Sequence, residues 1–130
     1  MKTMKNKSLG QSFKNAFNGL YQAATSERNM QIHMGALVLV VLAGIVLKLD
    51  LTRWMILALT IGSVLISELL NTAIENLTDM VTTEYSREAG KVKDIAAAAV
   101  LVSAIVSVVA GILVFYGPLI DWFKGLVGRK

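Results

Sequence analysis

A chain of 130 residues is long enough for one domain and too short for two independent cores. Hydrophobic residues make up 55% of it and charged ones 17%, against roughly 25% charged in soluble domains, and mean hydropathy is +0.60, so lipid is the expected solvent. The lack of cysteine excludes disulfides and thiolate catalysis, the single histidine excludes His–His zinc motifs, and the net charge of +4 comes from Lys and Arg at the ends of apolar runs, which suits lipid headgroups rather than nucleic acid.

No cleavable signal is expected. The first long apolar run begins near residue 34 with no small-residue cleavage pattern behind it, so residues 1–130 are read as a single mature membrane domain. Residues 8–26 are predicted to form an amphipathic surface helix. Leu9, Phe13, Ala16, Phe17, Leu20, Tyr21 and Ala24 recur at helical spacing, opposite Gln11, Lys14, Asn15, Asn18 and Gln22. Such a helix lies in the membrane interface; a helix packed on another subunit has the same pattern.

Three transmembrane helices follow, over 29–47, 54–80 and 94–118. Nineteen residues without formal charge separate Arg28 from Lys48, fourteen separate Arg53 from Glu68, and twenty-six separate Asp94 from Asp121. A spanning helix needs about 20 apolar residues, so the middle run spans only if it continues past Glu68. "KLDLTR", residues 48–53, reads as a tight turn. "TTEYSREAGKVKD", residues 82–94, reads as the longest polar connector, with Gly90 as turn punctuation and Asp94 as N-cap of the last helix. Eight Lys and Arg lie in the N-terminus and this connector against five on the other side, which places the N-terminus and the 82–94 loop in the cytoplasm.

The middle helix carries the chemistry in "SELLNTAIENLTD". At about 100° per residue, with Glu68 at zero, Asn71 falls near −60°, Glu75 near −20° and Asp79 near +20°. The four share one narrow stripe. If hydrocarbon begins at Trp54, about 20 residues bring its inner boundary to about residue 73. Glu68 then lies inside the cytoplasmic leaflet, while Glu75 and Asp79 lie at or beyond the headgroups. A charge at the bilayer centre costs about 2.5–3.5 kcal/mol on insertion scales and less near the edge, so the stripe needs a reason.

Three reasons fit the spacing: a polar seam between helices, an intramembrane proton or cation pathway, and catalysis at the interface. Glu27 sits just before the first span on the side where Glu75 emerges, so both can reach one hard cation such as Mg²⁺, which is commonly held by one or two carboxylates plus phosphate oxygens. Lys93 and Asp94 open the last span on that side, and a lysine there neutralises phosphate charge. Alone they are ordinary interfacial end residues. With Glu27, Glu68 and Glu75 they supply base, metal and phosphate contacts for phosphoryl transfer. GxxxxGK[ST], GxGxxG and HRD-type loops are missing, so a nucleotide site here is of another kind.

This combination resembles the prokaryotic diacylglycerol kinase family of small integral-membrane lipid kinases. The family pattern E-x-x-N-x-x-x-E-x-x-x-D, then E-Y and G-x-x-K-D, is matched at Glu68, Asn71, Glu75, Asp79, Glu84–Tyr85, Gly90, Lys93 and Asp94, within a likeness covering about residues 8–118. The resemblance implies an all-α integral membrane protein, a homotrimer of three-span protomers with N-terminal surface helices and ATP–Mg²⁺ sites shared between protomers. It implies Glu68 as the catalytic base, Glu27 and Glu75 as metal and ATP ligands, and Asn71, Glu84, Tyr85, Ser86, Lys93 and Asp94 as nucleotide-site residues. The N-terminal helix departs from the pattern. Ser8 and Asn15 stand where some relatives carry an arginine and a tyrosine, leaving Lys5, Lys7 and Lys14 as cations there. The family includes diacylglycerol kinases and undecaprenol kinases, and "ERNMQIH" with "SFKNAFNGLY" looks like the undecaprenol-type branch. The expected activity is thus ATP-dependent phosphorylation of undecaprenol at the cytoplasmic membrane, with diacylglycerol as the sibling alternative. A proton or cation pathway and a non-catalytic helical adaptor are the alternatives from other classes.

Overall fold

A computed structural model describes residues 8–82, 84 and 86–128 as four helices: α1 (Leu9–Ser26), α2 (Arg28–Val46), α3 (Leu51–Val81) and α4 (Arg87–Val127). No strand occurs among the described residues, and α2, α3 and α4 are each long and apolar enough to cross a membrane. Lys5, Lys7, Thr83, Tyr85, Arg129 and Lys130 lie outside the described residues.

Helix α1 is capped by Ser8, whose hydroxyl accepts from the Gln11 backbone N–H at 3.2 Å. It gives way to α2 at one residue, Glu27, which is extended and closes one helix while opening the next. Its N–H donates to the Ala23 carbonyl and its own carbonyl accepts from the Gln31 N–H, both at 3.1 Å. The Gln31 side-chain amide reaches back to the Thr25 carbonyl at 2.9 Å, tying the joint across the bend. Ala23 and Met30, on either side of it, are buried. Along α1, Leu9, Phe13, Phe17 and Tyr21 are exposed in the single chain.

The α2–α3 turn is a Schellman closure. The Leu49 N–H donates to the Gly44 carbonyl and the Lys48 N–H to the Ile45 carbonyl, each at 3.1 Å. Lys48 occupies the left-handed position (φ 53°) that glycine usually fills. A Cβ on Gly44 would stand 2.8 Å from Cη2 of Trp54, so only glycine allows this indole to lie against α2. Asp50 caps α3 by accepting the Arg53 N–H at 3.0 Å, and its carboxylate pairs with the Arg53 guanidinium. That backbone hydrogen bond above all, with the guanidinium adding to it, holds the Asp50 carboxyl below its ordinary pKa. The cap is therefore intact at neutral pH and weakens as pH falls through the carboxylate range. Leu49, Leu57 and Val114 form the buried core here, with Val40, Trp54, Ile61 and Phe115 packed around them.

Helices α3 and α4 form a long antiparallel hairpin. Their register is set by Ser67–Ser103 (2.7 Å between hydroxyls), Ser107 donating to the Thr60 carbonyl (3.3 Å), and Lys93 paired with Asp79 (2.5 Å). At 1.5 Å per residue, 31 residues span about 46 Å and 41 residues about 61 Å, so both helices outrun a hydrocarbon core of about 30 Å.

Helix α4 corrects two expectations. It begins at Arg87, not near residue 94, and its N-cap is Ser86, which accepts the Ala89 N–H at 3.4 Å. Asp94 is an exposed residue inside the helix rather than its cap, and Gly90 is helical rather than turn punctuation. The run "REAGKVKD" is polar, yet it forms the first two turns of α4. Arg87, Glu88, Ala89, Lys91 and Lys93 are good helix formers, enough to carry the helix across Gly90, Val92 and Asp94.

Lys48→Gly is expected to stabilise the protein by about 0.5–1 kcal/mol, since glycine adopts the left-handed turn without Cβ strain. Gly44→Val is expected to destabilise it by about 1–3 kcal/mol by driving Trp54 from its seat. Thermal unfolding in detergent micelles checks both, and a destabilised Lys48→Gly would contradict the turn assignment.

Candidate functional site

Two groups of polar side chains flank the end of α3. The first gathers around Glu68. Its side chain is 2% exposed and that of Asn71 5%, although both stand on a helix that is otherwise apolar up to this point. Helical spacing lines up Glu68, Asn71 and Glu75 on one face, and the Asn71 amide donates to Oε1 of Glu75 at 3.1 Å. The Glu27 joint brings a third carboxylate to the same place. Glu27, Glu75 and His33 are all close enough to Glu68 to act on it electrostatically.

Oε2 of Glu68 and Oδ1 of Asn71 are buried with no hydrogen-bond partner among the described residues. Both are acceptors. A buried acceptor without a donor is costly, and such atoms normally meet an ordered water or a ligand donor. A hydroxyl entering from the membrane side would supply what Glu68 lacks.

The second group lies one turn further along. Between the end of α3 and the start of α4 is a cleft of about 530 Å³ lined by Asp79, Thr82, Glu84, Ser86, Gly90 and Lys93, among others. Lys93 Nζ pairs with Asp79 Oδ1 at 2.5 Å, and both side chains keep substantial solvent contact. The first turn of α4 also brings the positive end of its helix dipole to the cleft.

Of the predicted site residues, Glu27, Glu68, Asn71 and Glu75 therefore form one group, and Glu84, Ser86 and Lys93 line the cleft. Asp94 is exposed and outside the lining of that cleft, Lys14 is exposed on α1, and Tyr85 lies outside the described residues. The groups are linked along α3, where Glu75 and Asp79 are one helical turn apart. No three His, Asp or Glu side chains converge on a metal position among the described residues. Glu27 and Glu75 offer a pair, the number of carboxylates that Mg²⁺ commonly takes from a protein when phosphate oxygens complete its shell.

Two residues belong to this region that motif reading left without a role. Asp79 was visible as part of the stripe, but its partnership with Lys93 depends on the α3–α4 register. His33 was visible only as the lone histidine, two turns after Glu27.

Comparison with known proteins identifies the family. Residues 14–115 match the family model described as "Prokaryotic diacylglycerol kinase". The chain is 41% identical over 104 residues to the "Undecaprenol kinase" of Bacillus subtilis (strain 168), covering 80% of this chain and 85% of that one. It is 39% identical over 111 residues to the "Diacylglycerol kinase" of Synechocystis sp. (strain ATCC 27184 / PCC 6803 / Kazusa), covering 85% of this chain and 63% of that one. It is also 34% identical over 103 residues to the "Diacylglycerol kinase" of Escherichia coli (strain K12), covering 79% and 81%.

Because the Asp79–Lys93 pair is solvated, Asp79→Asn is expected to change unfolding free energy by less than about 1 kcal/mol. Thermal unfolding in detergent tests this, and a loss above about 2 kcal/mol would show that the pair holds the hairpin together.

Proposed function

The chain belongs to the prokaryotic diacylglycerol kinase family and is a membrane lipid kinase, and from that premise we propose that it transfers the γ-phosphate of ATP to the hydroxyl of undecaprenol at the cytoplasmic face of the membrane. The observation that carries the reading is the buried, unpartnered Oε2 of Glu68 beside two further carboxylates. The lipid hydroxyl donates to this oxygen. As its oxygen bonds to the γ-phosphorus, the bond from that phosphorus to the β–γ bridging oxygen breaks, ADP leaves, and the hydroxyl proton passes to Glu68.

Glu27 and Glu75 are the residues that would hold Mg²⁺, whose role is to neutralise phosphate charge. Asn71 orients Glu75 through the 3.1 Å hydrogen bond. Lys93, Glu84 and Ser86 receive the nucleotide in their cleft, with Tyr85 and Asp94 as further contacts implied by the family pattern. The family resemblance is what supports a homotrimer whose sites draw on neighbouring protomers. The positive-inside bias supports a cytoplasmic N-terminus and a cytoplasmic 82–94 segment. The broad exposure of Leu9, Phe13, Phe17 and Tyr21 supports α1 as an amphipathic helix at the membrane surface.

Undecaprenol is favoured over diacylglycerol by "ERNMQIH" and by the 41% identity to an undecaprenol kinase. A proton or cation pathway gives Lys93 and its cleft no work to do.

Transfer of radiolabelled phosphate from ATP in detergent, with undecaprenol and diacylglycerol offered side by side, is expected to label undecaprenol preferentially. Labelling of neither lipid would overturn the kinase assignment. Glu68→Gln is expected to retain ATP binding and lose about 10²–10⁴-fold in kcat. Near-normal turnover in that variant would remove Glu68 as the base. Glu75→Gln is expected to raise the Mg²⁺ concentration needed for half-maximal rate.

A further inference from the structure

Below Glu68 the same face of α3 turns apolar. Val64, Leu65, Ile61 and Leu57 precede Glu68 by 4, 3, 7 and 11 residues, the spacings that share a helical face. They form one wall of a cavity of about 400 Å³ whose other walls are α2 and α4. His33, already within electrostatic reach of Glu68, stands at its mouth. Val40, Leu57 and Phe115, which pack into the core at the α2–α3 turn, close its floor. From mouth to floor it runs about 12 Å, seven to eight residues at 1.5 Å.

Its lining is apolar by arrangement as well as by composition. The hydroxyl of Thr60 donates to the carbonyls of Ile56 and Leu57, both at 3.0 Å, and the hydroxyl of Ser107 donates to the Thr60 carbonyl. The two hydroxyls in the walls are thus spent on backbone. The space exists because small residues face it: Ala36 on α2, Ala104 and Gly111 on α4. A Cβ added at Gly111 would meet nothing within 4 Å.

We infer that this slot holds the hydrocarbon chain of the lipid substrate, with the chain threaded between α2, α3 and α4 and the hydroxyl left at Glu68. The inference rests on the lipid-kinase reading above and adds the place of the tail. A half-open slot of about 400 Å³ lined by three helices of one chain has the volume for a single hydrocarbon chain rather than for a helix about 10 Å across from a second copy. Since lipid is as apolar as the slot, occupancy brings packing and orientation rather than a hydrophobic gain. The slot acts by fixing the hydroxyl at the base, and a displacement of about 1 Å there can cost about 100-fold in rate. One walled slot also matches one chain per headgroup, as in a prenol, and leaves the second chain of a diacylglycerol outside.

The test is a chain-length series. Prenols of five, ten and fifteen carbons and undecaprenol are phosphorylated by the parent, Ala104→Leu and Gly111→Leu. The register set by Ser67–Ser103 and Ser107–Thr60 puts Ala104 near the mouth and Gly111 near the floor. The loss in kcat/KM, expected at about 100-fold for undecaprenol, therefore begins at a shorter prenol in Ala104→Leu than in Gly111→Leu. A purely structural defect would lower all chain lengths alike. Parent-like dependence on chain length in both variants overturns the proposal. Independently of any variant, a diazirine on the second isoprene unit is expected to crosslink to α4 between residues 104 and 115 on the parent protein. Crosslinks confined to the opposite α3–α4 face around Ser63 and Val106, or to a second copy, also overturn it. If the parent phosphorylates only diacylglycerol, the undecaprenol reading falls while the slot is judged by the same variants with short and long acyl chains.

Discussion

A carboxylate buried at the end of an apolar helix is the constraint around which this chain is arranged. Glu68 follows a run of fourteen residues without charge and is almost fully enclosed. An acceptor in that position has to be given neighbours that make it useful, or it is simply a defect. The joint at Glu27 matters for this reason. By breaking the α1–α2 path at one extended residue and tying the bend with Gln31 and Thr25, the chain delivers a second carboxylate and, six residues later, His33 to the region around Glu68. The unpartnered Oε2 of Glu68 then has Glu27, Glu75 and His33 within electrostatic reach.

The α3–α4 hairpin supplies the rule along which the rest is measured. Three contacts fix its register: a hydroxyl pair and a hydroxyl-to-carbonyl bond within the apolar stretch, and one ion pair beyond it. Ser67–Ser103 and Ser107–Thr60 use hydroxyls that also satisfy backbone carbonyls, so they hold the helices without leaving polar atoms facing lipid. Because both helices exceed the hydrocarbon thickness, the same pair is long enough to carry the Asp79–Lys93 cleft beyond a hydrocarbon core. Above Glu68 the face of α3 is acidic; below it the same face is apolar. One helix thus presents an acidic face and an apolar face on opposite sides of Glu68.

The widest gap between sequence and structure lies at residues 82–94. Polarity there reads as loop, because in a membrane protein charge density normally marks connectors. Here it marks the first turns of α4, capped by Ser86 and continuous with its apolar stretch. The residues expected at the site are placed apart there: Glu84, Ser86 and Lys93 line one cleft, whereas Asp94 is exposed outside its lining.

The sequence by itself determined whatever depends on spacing within one helix. That covers the three long apolar helices, the alignment of Glu68, Asn71 and Glu75, and the family pattern, because 100° per residue converts spacing into a shared face without further information. Tertiary structure alone decided which faces meet. The Asp79–Lys93 pair, the approach of His33 to Glu68 and the slot opened by Ala36, Ala104 and Gly111 each join residues from different helices. Their meeting depends on a register and a bend angle set by a few hydroxyls, one glycine beneath Trp54 and one extended residue at Glu27. Such packing choices leave no periodic trace in the sequence.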